Sequence, residues 1–235
     1  MNLTKRLLIG IVCLVFTKPL LAYNNADSIT DSPKIIDFNS LKISGNFNVV
    51  LKQGKACSIK VVSPDKDAAS SVVVKSGVTL NVTMKEGSKT AVTLYITVKD
   101  LQQINANIEG SLSCADKLEA DAFTLNISGN ATVSLTFDSK ALNCVLNSGK
   151  PIVLKGKSKS CIFKDDGDGS VDASELKTDN LTLEDNSDGD LKVYAHPEMH
   201  VKLNGGGNLT YYGSPRVKTF KLSGRATEQQ ITENK

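Results

Sequence analysis

The segment from Lys164 to Leu176, KDDGDGSVDASEL, contains the side chains best suited to bind a metal ion. Aligned with the calcium-loop pattern D-x-[DN]-x-[DN]-G-x5-E, it places acidic residues at four ligand positions, which are Asp166, Asp168, Asp172 and Glu175. Carboxylate oxygens wrapped around a bend at Gly169 would suit Ca²⁺. However, Lys164 brings a positive charge to the first ligand position, and both flanks resemble strands instead of helices. The segment is therefore either a turn of a repeat, which we favour, or a weak Ca²⁺ site.

Charge around this segment is unevenly distributed. Residues 150–164 contain five lysines and no acidic residue, whereas residues 165–190 contain ten acidic residues and one lysine. Solvated charge on strand edges discourages association between sheets, and this is the interpretation that we favour. The alternative is an acidic strip that attracts divalent cations or a basic partner.

The remaining catalytic residue types do not form a recognisable set. His196 and His200 are the only histidines, and Pro197 between them argues against a helix that would bring them together. On an extended chain they would lie about 13 Å apart. No serine has an evident histidine and aspartate partner, and the chain contains no tryptophan that could stack on a sugar. We therefore predict no catalytic residues, no cofactor apart from the weak Ca²⁺ possibility, and no enzymatic activity.

A repeat of about 20 residues dominates the second half of the chain. Glycines recur at intervals of 19 or 20 residues, at Gly110, Gly129, Gly149, Gly169 and Gly189. Between them lie short runs in which Val, Ile, Leu and Thr alternate with polar residues, the pattern of strands with one buried face. The turns are too short for crossover helices, so we predict an all-β fold, a right-handed parallel β-helix whose rungs stack into one core. An antiparallel sandwich is the alternative.

The repeat also assigns positions to the cysteines. It aligns Cys144 with core residues of other rungs, namely Leu125, Phe163, Leu183 and Val201. It aligns Cys161 with a second such set, namely Phe123, Leu142, Leu181 and Met199. The two cysteines would lie on neighbouring rungs two positions out of register, about 8 Å apart at Cα, which is too far for a disulfide. We predict unpaired thiols in the core.

The organisation of the chain follows from these patterns. We predict a signal peptide at 1–22, a polar leader at 23–33, a single solenoid domain at 34–226 and a disordered tail at 227–235. Within the domain we expect a less regular β-rich half at 34–100, regular rungs at 101–213 and a C-terminal cap at 214–226. Tyr211 and Tyr212 close the last regular rung, where they would cap the stack or contact a partner.

The N-terminus predicts export. Lys5 and Arg6 precede a short apolar run and a small residue, Ala22, at a cleavage position, which is typical of a secretory signal peptide. The run is too short to span a membrane, so no span is expected in the mature protein. The formal charge of +3 disappears if Lys5, Arg6 and Lys18 are removed with the signal, which argues against nucleic acid as a partner. We expect a monomer in the periplasm, on the outer surface or in the medium.

Several phrases of the sequence resemble a known family. These are FNSLKISGNFNVVLKQG, VKSGVTLNV, ITVKDLQQINANIEGSLSC and the closing GGGNLTYYGSP. In this order they are similar to the bacterial head GIN domain, the head of an auto-transporter adhesin, over about residues 38–225. The resemblance implies a right-handed β-helix and an exported or surface location. The chain departs from the glycine–serine turns of the family at Lys150 and in its acidic fourth turn.

Three functions are compatible with these features. The leading hypothesis is a non-enzymatic, adhesin-like envelope protein that presents a β-helix surface to a glycan or a protein. The second is a polysaccharide lyase or hydrolase, in which Asp166, Asp168 and Asp172 would hold Ca²⁺ and a nearby Lys or Arg would act as base. The third is a periplasmic structural or signalling accessory protein, which the sequence alone does not distinguish from an adhesin.

Overall fold

The computed structural model describes residues 29–31, 33–85 and 90–231. The predicted signal peptide at 1–22 and the last four residues lie outside this part of the chain. The first half of the described chain forms strands β1 (Ile29–Asp31), β2 (Ser40–Gln53), β3 (Ser58–Ser63), β4 (Val72–Lys75), β5 (Thr79–Met84) and β6 (Val92–Val98), with one short helix, α1 (Lys66–Ser70). The second half forms β7 (Gln103–Cys114), β8 (Leu118–Ser148), β9 (Ile152–Asp165), β10 (Val171–Ala173), β11 (Leu176–Asp185), β12 (Leu191–Tyr194), β13 (Glu198–Leu203), β14 (Asn208–Tyr212), β15 (Val217–Leu222) and β16 (Thr227–Ile231).

The second half is a parallel β-solenoid, as the repeat predicted. Strand β8 pairs with β9, β9 with β11, and β11 with β13, all in parallel. Leu142, Cys161, Leu181 and Met199 lie opposite one another in successive rungs, so that the chain advances one rung every 18 to 20 residues. Because inward and outward side chains alternate along each strand, the apolar set of every rung falls on the same interior stack. The described chain completes about six turns.

The first half is less regular because it mixes pairing directions. Strand β2 pairs in parallel with β5, β6 and β7, but β3 runs antiparallel to β6 and β4 antiparallel to β5. Strand β1 adds antiparallel to β3, with Thr30 opposite Val62. Residues 29–31, which the sequence analysis assigned to the polar leader at 23–33, form this short strand. Composition does not reveal this strand, because the pairing uses backbone groups at the edge of β3 and does not depend on the type of side chain.

Glycines let neighbouring rungs approach closely. Of the periodic glycines, only Gly110 and Gly129 have positive φ angles, and both lie inside strands. A Cβ at Gly169 would lie 2.3 Å from the carbonyl oxygen of Lys150 in the preceding rung. At this turn, therefore, glycine is required because of the backbone of the neighbouring rung and not because of its own φ angle.

The last described rung has polar side chains at some inward positions, although Phe220 and Leu222 keep others apolar. Lys218 of β15 lies opposite Met199, and Gln230 of β16 lies opposite Tyr211, so both occupy inward positions of the repeat. The Tyr211 hydroxyl donates to Gln230 Oε1 at 3.2 Å. Residues 227–231 were predicted to be disordered and instead form a strand. Their side chains lack an apolar alternation, but their backbone pairs with β14. Residues 232–235 lie outside the described chain.

The cysteine register agrees with the prediction. Cys161 lies opposite Leu142 and Leu181, Cys144 lies opposite Phe163, and both side chains are fully buried. The four described cysteines are unpaired. Burial raises the pKa of Cys144 well above its usual value, and the Cys161 thiol, which is in hydrogen-bonding contact, raises it further. The Cys144 thiol therefore remains protonated in the folded protein, and the complete burial of both Cys144 and Cys161 keeps reagents away from their sulfur atoms.

We expect alkylation without reductant to modify the Cys144 and Cys161 thiols only after denaturation, because both are sealed in the core. Mass spectrometry of digested native and denatured samples measures this difference. Cys57, which is partly exposed, is the internal control and should react more readily in the native protein. A peptide pair lighter by two hydrogens that joins Cys144 to Cys161 would contradict the prediction.

Candidate functional site

A groove runs along one bend of the solenoid and crosses four rungs. We call it the lysine–aspartate groove, and its volume is about 710 Å³. Its floor is formed by the small side chains of Ala120, Ser139 and Ser158. Ser139 lies opposite Ser158, which in turn lies opposite Thr178. Because small residues recur at the same position of successive rungs, the surface is concave there.

The hydroxyl groups below the groove are satisfied within the protein. Ser139 Oγ donates to Ser158 Oγ at 3.0 Å, and Ser158 Oγ donates to the carbonyl oxygen of Ser160 at 2.9 Å. Thr178 Oγ1 donates to the carbonyl oxygen of Asn180 at 3.3 Å. All three hydroxyl-bearing residues are buried. These bonds hold the bend rigid, so that the charged residues on either side are presented at fixed spacing.

Charged residues of both signs form the walls of the groove. Lys140 Nζ contacts an Asp121 carboxylate oxygen at 2.8 Å, and Lys157 Nζ contacts an Asp138 carboxylate oxygen at 3.3 Å. Hydrogen bonding from Lys117, followed by that from Lys157, lowers the pKa of Asp138. The remaining charged wall residues are Glu119, Lys159, Lys177 and Asp179. Exposed ion pairs of this kind add little to the free energy of unfolding, so these side chains can exchange their partners for groups of a ligand with little loss of stability.

The residues of the predicted Ca²⁺ loop are not brought together. Asp166 accepts from Asn186 Nδ2 at 2.6 Å and pairs with Lys164 at 3.1 Å. Asp172 accepts from the backbone N–H and the hydroxyl of Ser174, and Glu175 pairs with Lys155 on the neighbouring rung. Within the described residues, no group of three or more His, Cys, Asp or Glu side chains could hold a metal ion. We therefore assign no metal ligands to this corner.

Gly169 explains why the resemblance to a calcium loop is superficial. It lies one rung above Lys150 and one below Gly189, in the turn series of the solenoid. Asp166 and Asp168 are exposed on the turn after β9, Asp172 lies in β10, and Glu175 lies in the turn before β11. An extended rung spreads the four carboxylates along its length, whereas a calcium loop coils them around one point.

Two buried aspartates were missed by the sequence analysis. Asp165 is 2% exposed and Asp185 is fully buried, and they lie opposite each other in adjacent rungs. Burial raises the pKa of Asp165 to about 7, and it also raises the pKa of Asp185. Their inward orientation was predictable, since each follows two alternate core residues, Cys161 and Phe163 in one rung and Leu181 and Leu183 in the next.

The aromatic and histidine residues near the C-terminus have structural surroundings. Tyr211, predicted as a capping or contact residue, is only 5% exposed because it occupies an inward position, and its ring packs 5.7 Å from that of Phe220. A surface contact through Tyr211 is therefore wrong, whereas Tyr212 is half-buried. His196 Nδ1 lies 2.8 Å from the carbonyl oxygen of Ser214, and His200 projects outward from β13.

The described chain offers no helix with the length and hydrophobicity of a membrane span.

Comparisons with known proteins found one family and several structures. The family described as "Putative auto-transporter adhesin, head GIN domain" matches residues 37–215. A crystal structure of a putative adhesin from Bacteroides fragilis is 20% identical, covers 87% of this chain and 97% of its own, and superposes with a TM-score of 0.82. A putative adhesin from Parabacteroides merdae is 18% identical, with coverage of 88% and 97% and a TM-score of 0.67.

A third structure has a different description. A putative lipid binding protein from Parabacteroides distasonis is 20% identical, with coverage of 87% of this chain and 98% of its own and a TM-score of 0.58. At these identities the structural matches establish the shared fold alone. Comparison with curated proteins gave no match.

Proposed function

The chain belongs to the head GIN domain family, and we propose that it is an exported, non-enzymatic, adhesin-like protein of the cell envelope. In this proposal the solenoid presents a surface to a glycan or a protein partner. The family relationship supports an exported or surface location, and the solenoid supplies the kind of long, regular face that extended partners require.

The lysine–aspartate groove is the feature that best supports the proposal. It is open, it crosses four rungs, and its walls combine amines and carboxylates at a spacing set by the parallel register. A polar partner such as a glycan chain or a polar peptide segment can exchange hydrogen bonds with both groups. The groove volume lies within the usual range of ligand sites, about 300–1,000 Å³.

The other hypotheses receive less support. A Ca²⁺-assisted lyase would need Asp166, Asp168 and Asp172 around one ion, and these residues are dispersed along the rung. The lipid-binding description belongs to the Parabacteroides distasonis protein. Charged walls in this groove are unfavourable for an acyl chain, because their desolvation would not be compensated.

A glycan array and a pull-down with the exported form of the chain test the proposal. We expect a saturable partner, and we expect the double substitution Lys157→Glu, Lys159→Glu to weaken its binding about tenfold or more, since two amines of the groove become carboxylates. The matched control is Lys52→Glu, Lys60→Glu, which reverses two exposed charges in the first half and should leave affinity within about twofold.

Two results would count against the proposal. Equal loss of binding in both double variants would mean that the groove is not the contact face. Turnover of a polysaccharide in a lyase and glycosidase screen would replace the adhesin-like function with an enzymatic one. Melting temperatures of all variants, measured alongside, separate loss of the partner from loss of the fold.

A further inference from the structure

Two carboxylic side chains interrupt an otherwise apolar column in the core. Leu146, Asp165, Asp185 and Leu203 occupy the same inward position in four successive rungs. All four are buried, with Asp165 2% exposed and Asp185 0% exposed. Parallel rungs are spaced by about 4.8 Å, so the two carboxyl groups are immediate neighbours, with a leucine above and a leucine below.

Each of these carboxyl groups has one oxygen bonded and one oxygen without a partner. Asp165 Oδ1 accepts from the N–H of Gly167 at 3.1 Å, and Asp185 Oδ1 accepts from the N–H of Ser187 at 3.0 Å. The Oδ2 atoms of both residues are buried and, within the described chain, make no hydrogen bond. Burying a carboxylate oxygen without a hydrogen bond costs free energy of desolvation. Two such oxygens in adjacent rungs therefore require a common explanation.

The charges that face the pair are all negative. Desolvation is the largest contribution that raises the pKa of both groups. The negative charge of Asp185, followed by those of Asp166 and Asp168, also raises the pKa of Asp165, and the charges of Asp166 and Asp188 raise that of Asp185. Lys164, the nearest basic residue along β9, projects outward and pairs with Asp166. The strands on either side contribute only Leu146 and Leu203 at this position. Among the described residues, therefore, no basic side chain offsets two ionised carboxylates at this position.

We propose that Asp165 and Asp185 share one proton in the folded protein, with the Oδ2 hydroxyl of one carboxyl donating to the Oδ2 of the other. One proton then satisfies both orphaned oxygens and leaves a single negative charge in the column. The shared proton joins β9 to β11 through their side chains, directly beneath the acidic turns at 166–169 and 186–189. Its release places two like charges in the core, so this corner of the solenoid loosens as the pH rises.

The sign of the pH dependence follows from proton binding. The pKa of Asp165 is raised from 3.8 to about 7 in the folded state. Between these values the folded protein holds a proton that the unfolded chain releases, so the equilibrium constant for unfolding grows with pH, by up to about tenfold per pH unit. Stability from this source is fully present at acidic pH and is lost as the pH passes through about 7.

Urea denaturation of the full exported chain between pH 5 and pH 8.5 tests the proposal. The wild-type midpoint should fall across this range. Asp165→Asn replaces the shared hydroxyl with an amide N–H donor and keeps an oxygen for Gly167, so its midpoint should change little with pH and should exceed that of wild type at pH 8.5. Asp116→Asn, at an exposed aspartate in the turn between β7 and β8 that does not act on either carboxyl group, is the matched control and should retain the wild-type slope.

Carboxyl carbon NMR of the same proteins gives an independent measurement. The pair should titrate in two separated steps, one of them near neutrality, and Asp165→Asn should remove that step. Titration of both carboxyls near the ordinary value of about 3.9 would overturn the proposal. So would a midpoint at pH 8 that rises on adding Ca²⁺ in wild type but not in Asp165→Asn, because the pair would then hold a cation instead of a proton.

Discussion

Replacing Phe137 with alanine is expected to lower the free energy of unfolding by about 3–5 kcal/mol. Phe137 is one of the largest fully buried side chains, at 1% exposure, and its ring centroid lies 5.0 Å from that of Phe123. Alanine would remove this aromatic contact and leave a cavity between stacked rungs. The rungs are joined by backbone hydrogen bonds on both sides, so they cannot collapse to fill it.

Urea denaturation followed by circular dichroism measures the effect. The control is Ile162→Ala, which removes an apolar side chain that is 50% exposed in the next rung, and it should cost less than about 0.5 kcal/mol. A loss below about 1 kcal/mol in Phe137→Ala would show that neighbouring side chains move to fill the cavity, contrary to this prediction.

The second large effect is expected at Gly156, inside β9. Its φ angle is +103°, a conformation that residues with a Cβ rarely adopt. A Cβ would also lie 2.0 Å from the carbonyl oxygen of Phe137 in the preceding rung. Both problems involve backbone atoms, so neither can be relieved by a side-chain rotation. We expect Gly156→Ala to destabilise the protein by about 3 kcal/mol.

A glycine in a nearby turn provides the comparison. At Gly149 an added Cβ would make only a 3.4 Å contact, with the side-chain oxygen of Asn130. We expect Gly149→Ala to change the free energy of unfolding by less than about 0.5 kcal/mol. Equal midpoints for the two variants would indicate that the strand bend at Gly156 can relax.

The regular rungs were predictable because their physical basis is periodic in the sequence. Alternating apolar residues and a 20-residue spacing are sufficient to stack Leu142, Cys161 and Leu181, and the structure shows that register. The same period predicted that Gly169 belongs to a turn of the solenoid. A period, however, fixes only which residues align and says little about the atoms that surround each of them.

The features that escaped prediction depend on backbone partners or on breaks in the alternation. The strand at Thr227–Ile231 forms because β14 offers a free edge, which composition does not reveal. The lysine–aspartate groove arises where the inward pattern shifts between Ser139 and Leu142, so that small residues line a bend. Asp165 and Asp185 were counted among the acidic residues of the surface, although their spacing from Phe163 and Leu183 placed them inside.

The groove and the acidic turn share one rung, in which residues 160–165 of β9 connect them. Lys157 and Lys159 border the groove, and Asp166 begins the acidic turn after one short strand segment. Strand β9 therefore connects a partner bound in the groove to the Asp165–Asp185 pair and its shared proton. Binding measured at pH 6 and pH 8 would show whether the shared proton and the contact face are energetically linked.

The polar side chains in the last described rung, which stand beside the apolar Phe220 and Leu222, affect whether copies of the protein can stack end to end. The strands at an open end of a parallel stack have unpaired backbone N–H and C=O groups. If the side chains of that end were also apolar, a second molecule could bind there and then a third. Lys218 and Gln230 stand where that layer would need hydrophobic side chains, and their desolvation would oppose addition of another copy. These two side chains therefore disfavour the addition of another copy at this face of the described rungs.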